Sequence, residues 1–139
     1  MPRVQINLDD NLHDILAQRA TTHNLNINYE IVAILENLFI EKPFDYISAL
    51  KTIIDETAAI EVGQTFALHD LPFFNTIEHW KPNNEQMALK PSGIRAKLGR
   101  MFNDAVENKC VPHVIRALND KGELKFKGST SLYLKIAQE

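Results

Sequence analysis

Hydrophobic and polar residues alternate at the start of the chain. Over residues 3–8, the apolar residues Val4, Ile6 and Leu8 alternate with Arg3, Gln5 and Asn7. Successive side chains of a strand point to opposite faces, so one face would be apolar and the other polar. The pattern predicts a short amphipathic strand. Taken alone, it is more typical of an ordinary edge strand with a solvated polar face than of a binding surface.

A helical spacing of apolar residues follows the strand. Asp9 or Asp10 can cap a first helix to about His23, and Asn28 can cap a second helix to Phe39. Each helix carries one apolar stripe: Leu12, Ile15, Leu16 and Ala20 on the first; Ile31, Leu35, Leu38 and Phe39 on the second. Asn24 lies between the helices and tolerates the left-handed backbone of a tight turn.

This order of strand, helix, turn and helix resembles the Arc/MetJ type of ribbon-helix-helix domain. Where Arc-like proteins often carry Gly-x-Ser-x-Asn-x-Glu, this chain has Asn24-x-Asn26-x-Asn28-x-Glu30. It departs from some relatives at Asp9, where they carry a basic residue. The resemblance implies an intertwined homodimer whose paired strands enter the major groove of double-stranded DNA.

The resemblance also implies which residues contact DNA. The polar row of the strand would contact base edges, with Arg3 suited to guanine and Gln5 and Asn7 suited to adenine. Phosphate contacts would come from the start of the second helix, at Asn26, Ile27, Asn28 and Tyr29.

A second set of elements is predicted after Pro43. The first predicted elements are a helix from Pro43 to about Ala59, a strand Gln64–Leu68, and a helix that His69 or Asp70 caps and that ends at about Trp80. A loop from Lys81 to Pro91 follows, and then a helix that Ser92 caps and that ends at Asn108. The last predicted elements are a hairpin with arms 111–118 and 123–126 and a further strand at 131–136. Strand, helix, loop, helix and hairpin is the order of a winged helix. We therefore expect an α+β, mainly α, protein with a ribbon-helix-helix unit (1–42), a connecting helix (43–60) and a winged-helix-like domain (61–139).

The later segment resembles a small bacterial domain family of unknown function. The shared elements are Phe66-Ala67-Leu68-His69-Asp70-Leu71, Trp80 and Leu98-Gly99-Arg100-Met101-Phe102. The resemblance carries no assigned chemistry. Gly93 and Gly99 would weaken the helix in which they lie, which predicts that a core group or a ligand approaches them closely.

Charge is distributed unevenly along the chain. The net charge is −3, yet residues 81–139 contain eleven basic and six acidic residues, and residues 43–80 contain one and six. A second basic surface is therefore predicted at Lys97, Arg100, Lys121, Lys125 and Lys127. An equally weighted alternative is that these residues only decorate the surface of a small domain.

Signatures of catalysis and metal binding are missing from the sequence. The five histidines are scattered, and Cys110 with His113 offers too few ligands for a structural zinc. A single cysteine excludes an internal disulfide and favours a reducing cytoplasm. The start of the chain does not resemble a signal peptide, and no stretch is apolar enough to span a membrane. We expect no enzyme activity, no cofactor and no metal.

These observations favour a cytoplasmic, DNA-binding transcriptional regulator, a repressor that acts as a homodimer. The alternative is an antitoxin or other protein-binding module whose C-terminal domain engages a protein partner. Such segments are usually extended, whereas residues 60–139 carry the pattern of a folded domain.

Overall fold

The computed structural model describes residues 2–40, 44–77, 91–128 and 130–137. Within these ranges the chain is α+β and mainly helical. The helices are α1 (Asp10–Thr22), α2 (Ile27–Phe39), α3 (Tyr46–Glu56), α4 (Pro72–Thr76) and α5 (Pro91–Glu107); the strands are β1 (Thr65–Phe66), β2 (Val114–Arg116), β3 (Phe126–Lys127), β4 (Thr130–Ser131) and β5 (Tyr133–Lys135). The predicted helix start at Pro43, the motif residue Trp80 and the loop from Lys81 lie outside the described residues.

Helices α1 and α2 form a capped hairpin. The Asp9 carboxylate accepts the Leu12 N–H at 2.8 Å, which confirms Asp9 as the cap of α1. Asn24 has a φ of +62°, and the Leu25 N–H donates to the Ala20 carbonyl at 2.8 Å across the turn. The predicted left-handed turn at Asn24 is therefore confirmed, in the geometry that ends many helices.

The cap of α2 differs from the prediction. The side chain of Asn26, not Asn28, accepts the Tyr29 N–H at 3.2 Å. Asn26 has an extended backbone, as a capping residue needs, whereas Asn28 already lies inside the helix. The sequence could not decide which residue caps α2, because Asn26 and Asn28 are the same residue type and lie only two positions apart.

Residues 2–8 form no strand within the single chain. A strand requires hydrogen bonds to a neighbouring strand, and none of the described residues offers one to this segment. Val4 is 85 % exposed and Ile6 63 % exposed, so the predicted apolar face is uncovered. The single chain thus contains the helical hairpin without a paired ribbon.

Helix α3 is part of the core of the second half of the chain. Asp45 caps it by accepting the Ser48 N–H at 3.0 Å, so the helix begins at Tyr46. Leu50 and Ile53 are fully buried, and α3 contacts both α4 and α5. The segment predicted as a connecting helix is therefore packed against the segment that follows it.

The sheet joins elements that are distant in the sequence. Its strand order is β1-β5-β2, and both pairings are antiparallel. The predicted hairpin of residues 111–118 and 123–126 is confirmed at its tip, where Leu118 bridges Leu124 and the N–H groups of Lys125 and Asn119 donate to the carbonyls of Ala117 and Glu123. It is wrong for residues 114–116, because β2 pairs with β5. Residues 117–132 form a hairpin beyond the sheet, which includes β3 and β4.

Prolines begin both of the later helices. Helix α4 begins at Pro72 and α5 at Pro91, so the predicted caps His69, Asp70 and Ser92 do not hold those positions. Proline suits a first helical position because its fixed φ is helical and its missing N–H would be unpaired there. One face of α5 forms the centre of the core, with the predicted residues Ile94, Leu98, Met101, Phe102 and Ala105 all buried.

Candidate functional site

An exposed apolar surface runs over the N-terminal hairpin. The exposed apolar side chains are Val4, Ile6, Leu12, Ile15, Val32, Leu35, Leu38 and Phe39. They include most of the two predicted helical stripes, of which only Ala20 is buried in the single chain. An uncovered apolar surface of this extent is typical of an interface. We refer to these eight residues as the apolar face.

The predicted base-contacting residues lie beside the apolar face. Arg3, Gln5 and Asn7 are all exposed, and they alternate in the sequence with the apolar Val4 and Ile6. The structure therefore leaves all three side chains accessible. Their contact with DNA stays a prediction.

The start of α2 offers few unpaired backbone groups. Asn26 accepts the Tyr29 N–H with its side chain and the Glu30 N–H with its carbonyl. In the described residues the N–H groups of Ile27 and Asn28 have no such partner, and Asn28 is exposed. Of the four residues predicted to contact phosphate, these two have the backbone donors left for an anion.

Glu30 is a buried carboxylate that joins α2 to α1. It is 1 % exposed, its Oε1 accepts from Arg19 Nε at 3.2 Å, and its Oε2 lies 2.7 Å from His23 Nδ1. Sequence reasoning used Glu30 only as part of a motif and missed this role. The spacing of Arg19 and His23, four residues apart on the last turns of α1, was the available signal.

Helix α2 is also bonded to α5. Lys97 Nζ donates to Glu36 Oε1 at 3.2 Å and lies 4.2 Å from the centre of the Tyr46 ring. The hydroxyl of Tyr29 donates a hydrogen bond to Asp104. Lys97 is therefore engaged between helices and is not available for the predicted second basic surface. The N-terminal hairpin and the C-terminal half are in direct contact at this place.

A cleft of about 500 Å³ lies along the other side of α5. Its walls come from α5, the turn at residues 68–70, α4, β4, β5 and the start of α2. The polar lining includes Arg95, Arg100, His69, Asn103 and Asp104. Gly99 also lines the cleft, and the nearest atom to a Cβ placed there would be Leu68 Cδ1 at 3.9 Å. The close approach predicted at Gly99 and Gly93 is therefore not provided by the described residues.

Burial and charge act on the carboxylate in this cleft. Partial burial raises the pKa of Asp104, and nearby Glu107 raises it further. The Tyr29 hydrogen bond and the Arg100 guanidinium act in the opposite direction on that pKa. Two residues that line the cleft, Tyr29 and Arg100, therefore influence the ionisation of Asp104.

A guanidinium lies directly behind the cleft. Arg116 Nη1 donates to Asn103 Oδ1 at 2.8 Å, and the group is flanked by the rings of Phe126 and Tyr133, with centroids at 5.3 and 5.5 Å. Arg116 Nε and Nη2 are buried without a hydrogen-bond partner in the structure. No described carboxylate forms an ion pair with Arg116. Sequence reasoning missed this residue, since its partners lie on three different elements.

The remaining basic residues are on the hairpin. Lys121, Lys125 and Lys127 are exposed, as is Arg100 on α5. Four of the five predicted basic residues therefore remain accessible. Their contact with phosphates is not tested by the structure.

The described residues contain neither a candidate membrane-spanning helix nor a candidate metal site. Among the described residues, none of the helices combines the length and apolar character needed to cross a membrane. The same residues contain no group of three or more side chains that could hold a metal ion. No protein-family model matches the chain, and comparisons with curated proteins and with solved structures also gave no match.

Proposed function

We propose that this protein is a sequence-specific DNA-binding transcriptional repressor that binds as a ribbon-helix-helix homodimer. The observation that carries the proposal is the segment 2–8, which is unpaired in the single chain and presents Val4 and Ile6 to solvent next to a capped helical hairpin. A second copy would supply the missing strand. The strands of the two copies would form one antiparallel ribbon.

The apolar face supports the dimer. Phe39 is 79 % exposed and Leu38 70 % exposed, which is costly in water for side chains of this size. The opposite side of α2 is already occupied, because Tyr29 and Glu36 contact α5. A second copy can therefore cover the apolar face without displacing the C-terminal half.

The polar side of the segment supports DNA as the ligand. Arg3, Gln5 and Asn7 offer the donors and acceptors that pair with purine edges in the major groove. The unpaired N–H groups of Ile27 and Asn28 lie at the start of α2, where the helix dipole favours a phosphate. The absence of acidic residues before Asp9 lets the ribbon approach a polyanion.

The C-terminal half supports a winged-helix-like arrangement. The described elements follow the order α3, β1, α4, α5, β2, hairpin and β5, with β5 between β1 and β2. Lys121, Lys125 and Lys127 lie on the hairpin that would be the wing. We place the protein in the cytoplasm, since its one cysteine, Cys110, suits a reducing compartment.

Selection of genomic fragments by the purified protein tests the proposal. One sequence motif should be enriched, and Gln5→Ala or Asn7→Ala should each lose roughly 1–3 kcal/mol of specific binding with little change in non-specific binding. Gln18→Ala on the exposed side of α1 is the matched control and should bind normally. No enriched motif, or an equal loss for all DNA sequences, would contradict the proposal.

A protein-binding module is the second candidate, favoured by one observation. Apolar side chains are exposed on the C-terminal hairpin at Leu118, Leu124 and Phe126, and on the adjoining strand β2 at Ile115. An antitoxin would cover such a surface with its toxin. Limited proteolysis separates the cases, because an extended antitoxin segment would be digested while a folded regulator domain would persist.

A further inference from the structure

We propose that the cleft beside α5 binds a small organic anion, with its phosphate or carboxylate group at Arg100 and its apolar body against Leu68 and Phe74. Its volume of about 500 Å³ lies in the range of small-molecule sites. The concave shape favours a small molecule over duplex DNA, because a cleft encloses a small molecule and presents less surface to a duplex. Binding of an anion in the cleft does not depend on the proposed function. Only its effect on DNA binding rests on that function.

The charges around the cleft favour an anion. The guanidinium of Arg100 and the carboxylate of Asp104 line the cleft. Arg116 adds a second positive charge one layer behind, where its Nε and Nη2 are buried without a hydrogen-bond partner among the described residues. Two buried guanidinium nitrogens without a hydrogen-bond partner are unfavourable, and an anion in the cleft would reduce that cost through its field.

The inner end of the cleft is connected to α2. Tyr29 lines the cleft, and its side chain is hydrogen-bonded to Asp104. The backbone N–H of Tyr29 belongs to the capped first turn of α2. A molecule in contact with Tyr29 and Asp104 would therefore act on the helix end proposed to contact phosphate. This makes the bound anion an effector of the repressor.

Titration of the full chain with two simple probes tests the site. Phenyl phosphate and phenylacetate each carry a ring and one anionic group, and they separate phosphate from carboxylate chemistry; benzyl alcohol is the uncharged control. Calorimetry should show binding of at least one anionic probe with an affinity of about 1 mM or better, and weaker binding of benzyl alcohol. Equal binding of charged and uncharged probes would overturn the proposal.

Two pairs of variants localise the binding. Arg100→Gln should weaken probe binding roughly tenfold or more, whereas Lys121→Gln, which also removes one positive charge but on the exposed hairpin, should keep it within about threefold. Gly99→Leu should place a side chain in the cleft and weaken probe binding, and Gly93→Leu on the same helix should leave probe binding unchanged, because Gly93 does not line the cleft. Equal effects within either pair would overturn the assignment.

The DNA arm is independent of the probe titration. At saturating probe, affinity for the selected DNA should change by roughly fivefold or more if the site is coupled to α2. An unchanged DNA affinity would overturn the effector role, and failure to find any selected DNA would count against the proposed function but not against the site. If duplex DNA displaces the probe and Gly99→Leu weakens DNA binding, the cleft is a nucleic-acid surface and the proposal is wrong.

Discussion

The substitution Ile6→Thr tests the proposed dimer in the segment that would form the ribbon. Ile6 is 63 % exposed in the single chain, so most of its side chain is available for burial against a second copy. The change removes two carbon atoms, each worth about 0.8 kcal/mol when buried, and places a hydroxyl in the interface. A loss of about 1–2 kcal/mol per copy counts twice in a symmetric dimer. The dimer dissociation constant should rise roughly 30- to 1,000-fold.

Sedimentation equilibrium over a range of concentrations measures this constant. The matched control is Gln5→Thr, which creates the same residue one position away on the opposite face of the segment. It should leave the dimer intact while reducing specific DNA binding. Circular dichroism should be unchanged in dissociated Ile6→Thr, because an exposed Ile6 contributes little to the fold of the single chain.

Three results would refute the reasoning. The wild-type chain could be a monomer at micromolar concentration, the Ile6→Thr variant could dimerise within about threefold of wild type, or Gln5→Thr could dissociate the dimer equally. The first would remove the ribbon-helix-helix assignment. The other two would place the interface elsewhere on the apolar face.

Further predictions concern the hairpin and the buried tyrosines. Glu30→Ala should lower the free energy of unfolding in urea by about 1–3 kcal/mol, because it removes a buried carboxylate from two partners, whereas exposed Asp14→Ala should cost less than about 1 kcal/mol. Asn24→Ala should cost about 1 kcal/mol in the same assay and Asn24→Gly should not, since only the alanine opposes a positive φ. Burial raises the pKa of Tyr46 and of Tyr133 from 10.0 to about 12. The unfolded chain would ionise first, so stability present below pH 10 should fall as the pH rises towards about 12, by about 2–3 kcal/mol per tyrosine, and tyrosinate absorbance should appear late, with unfolding.

Local chemistry made several elements predictable. Asp9 could be identified as a cap and Asn24 as a left-handed residue because each depends on its own side chain and its near neighbours. The buried face of α5 followed from helical spacing alone, since Leu98 and Phe102 recur at the period of the helix. Caps that compete at short spacing, such as Asn26 and Asn28, were not separable in this way.

Tertiary structure decided what depends on distant residues. Strand β2 pairs with β5 and not with the segment nearest to it in sequence, because pairing depends on which chain segments the core brings together. The engagement of Lys97 with Glu36 and the enclosure of Arg116 behind Asn103 have no local signature in the sequence. The cleft beside α5 arises only when six elements meet.

The sequence by itself therefore determined the helices, the turn at Asn24 and the alternation over residues 3–8, because these follow from backbone preference and the period of side chains. The tertiary structure decided which basic residues remain free, which acid is buried and where a cavity forms. Those properties depend on contacts between residues that are far apart in the sequence, such as Glu36 and Lys97. Such contacts form only when the chain has folded, because the unfolded chain does not keep distant residues together.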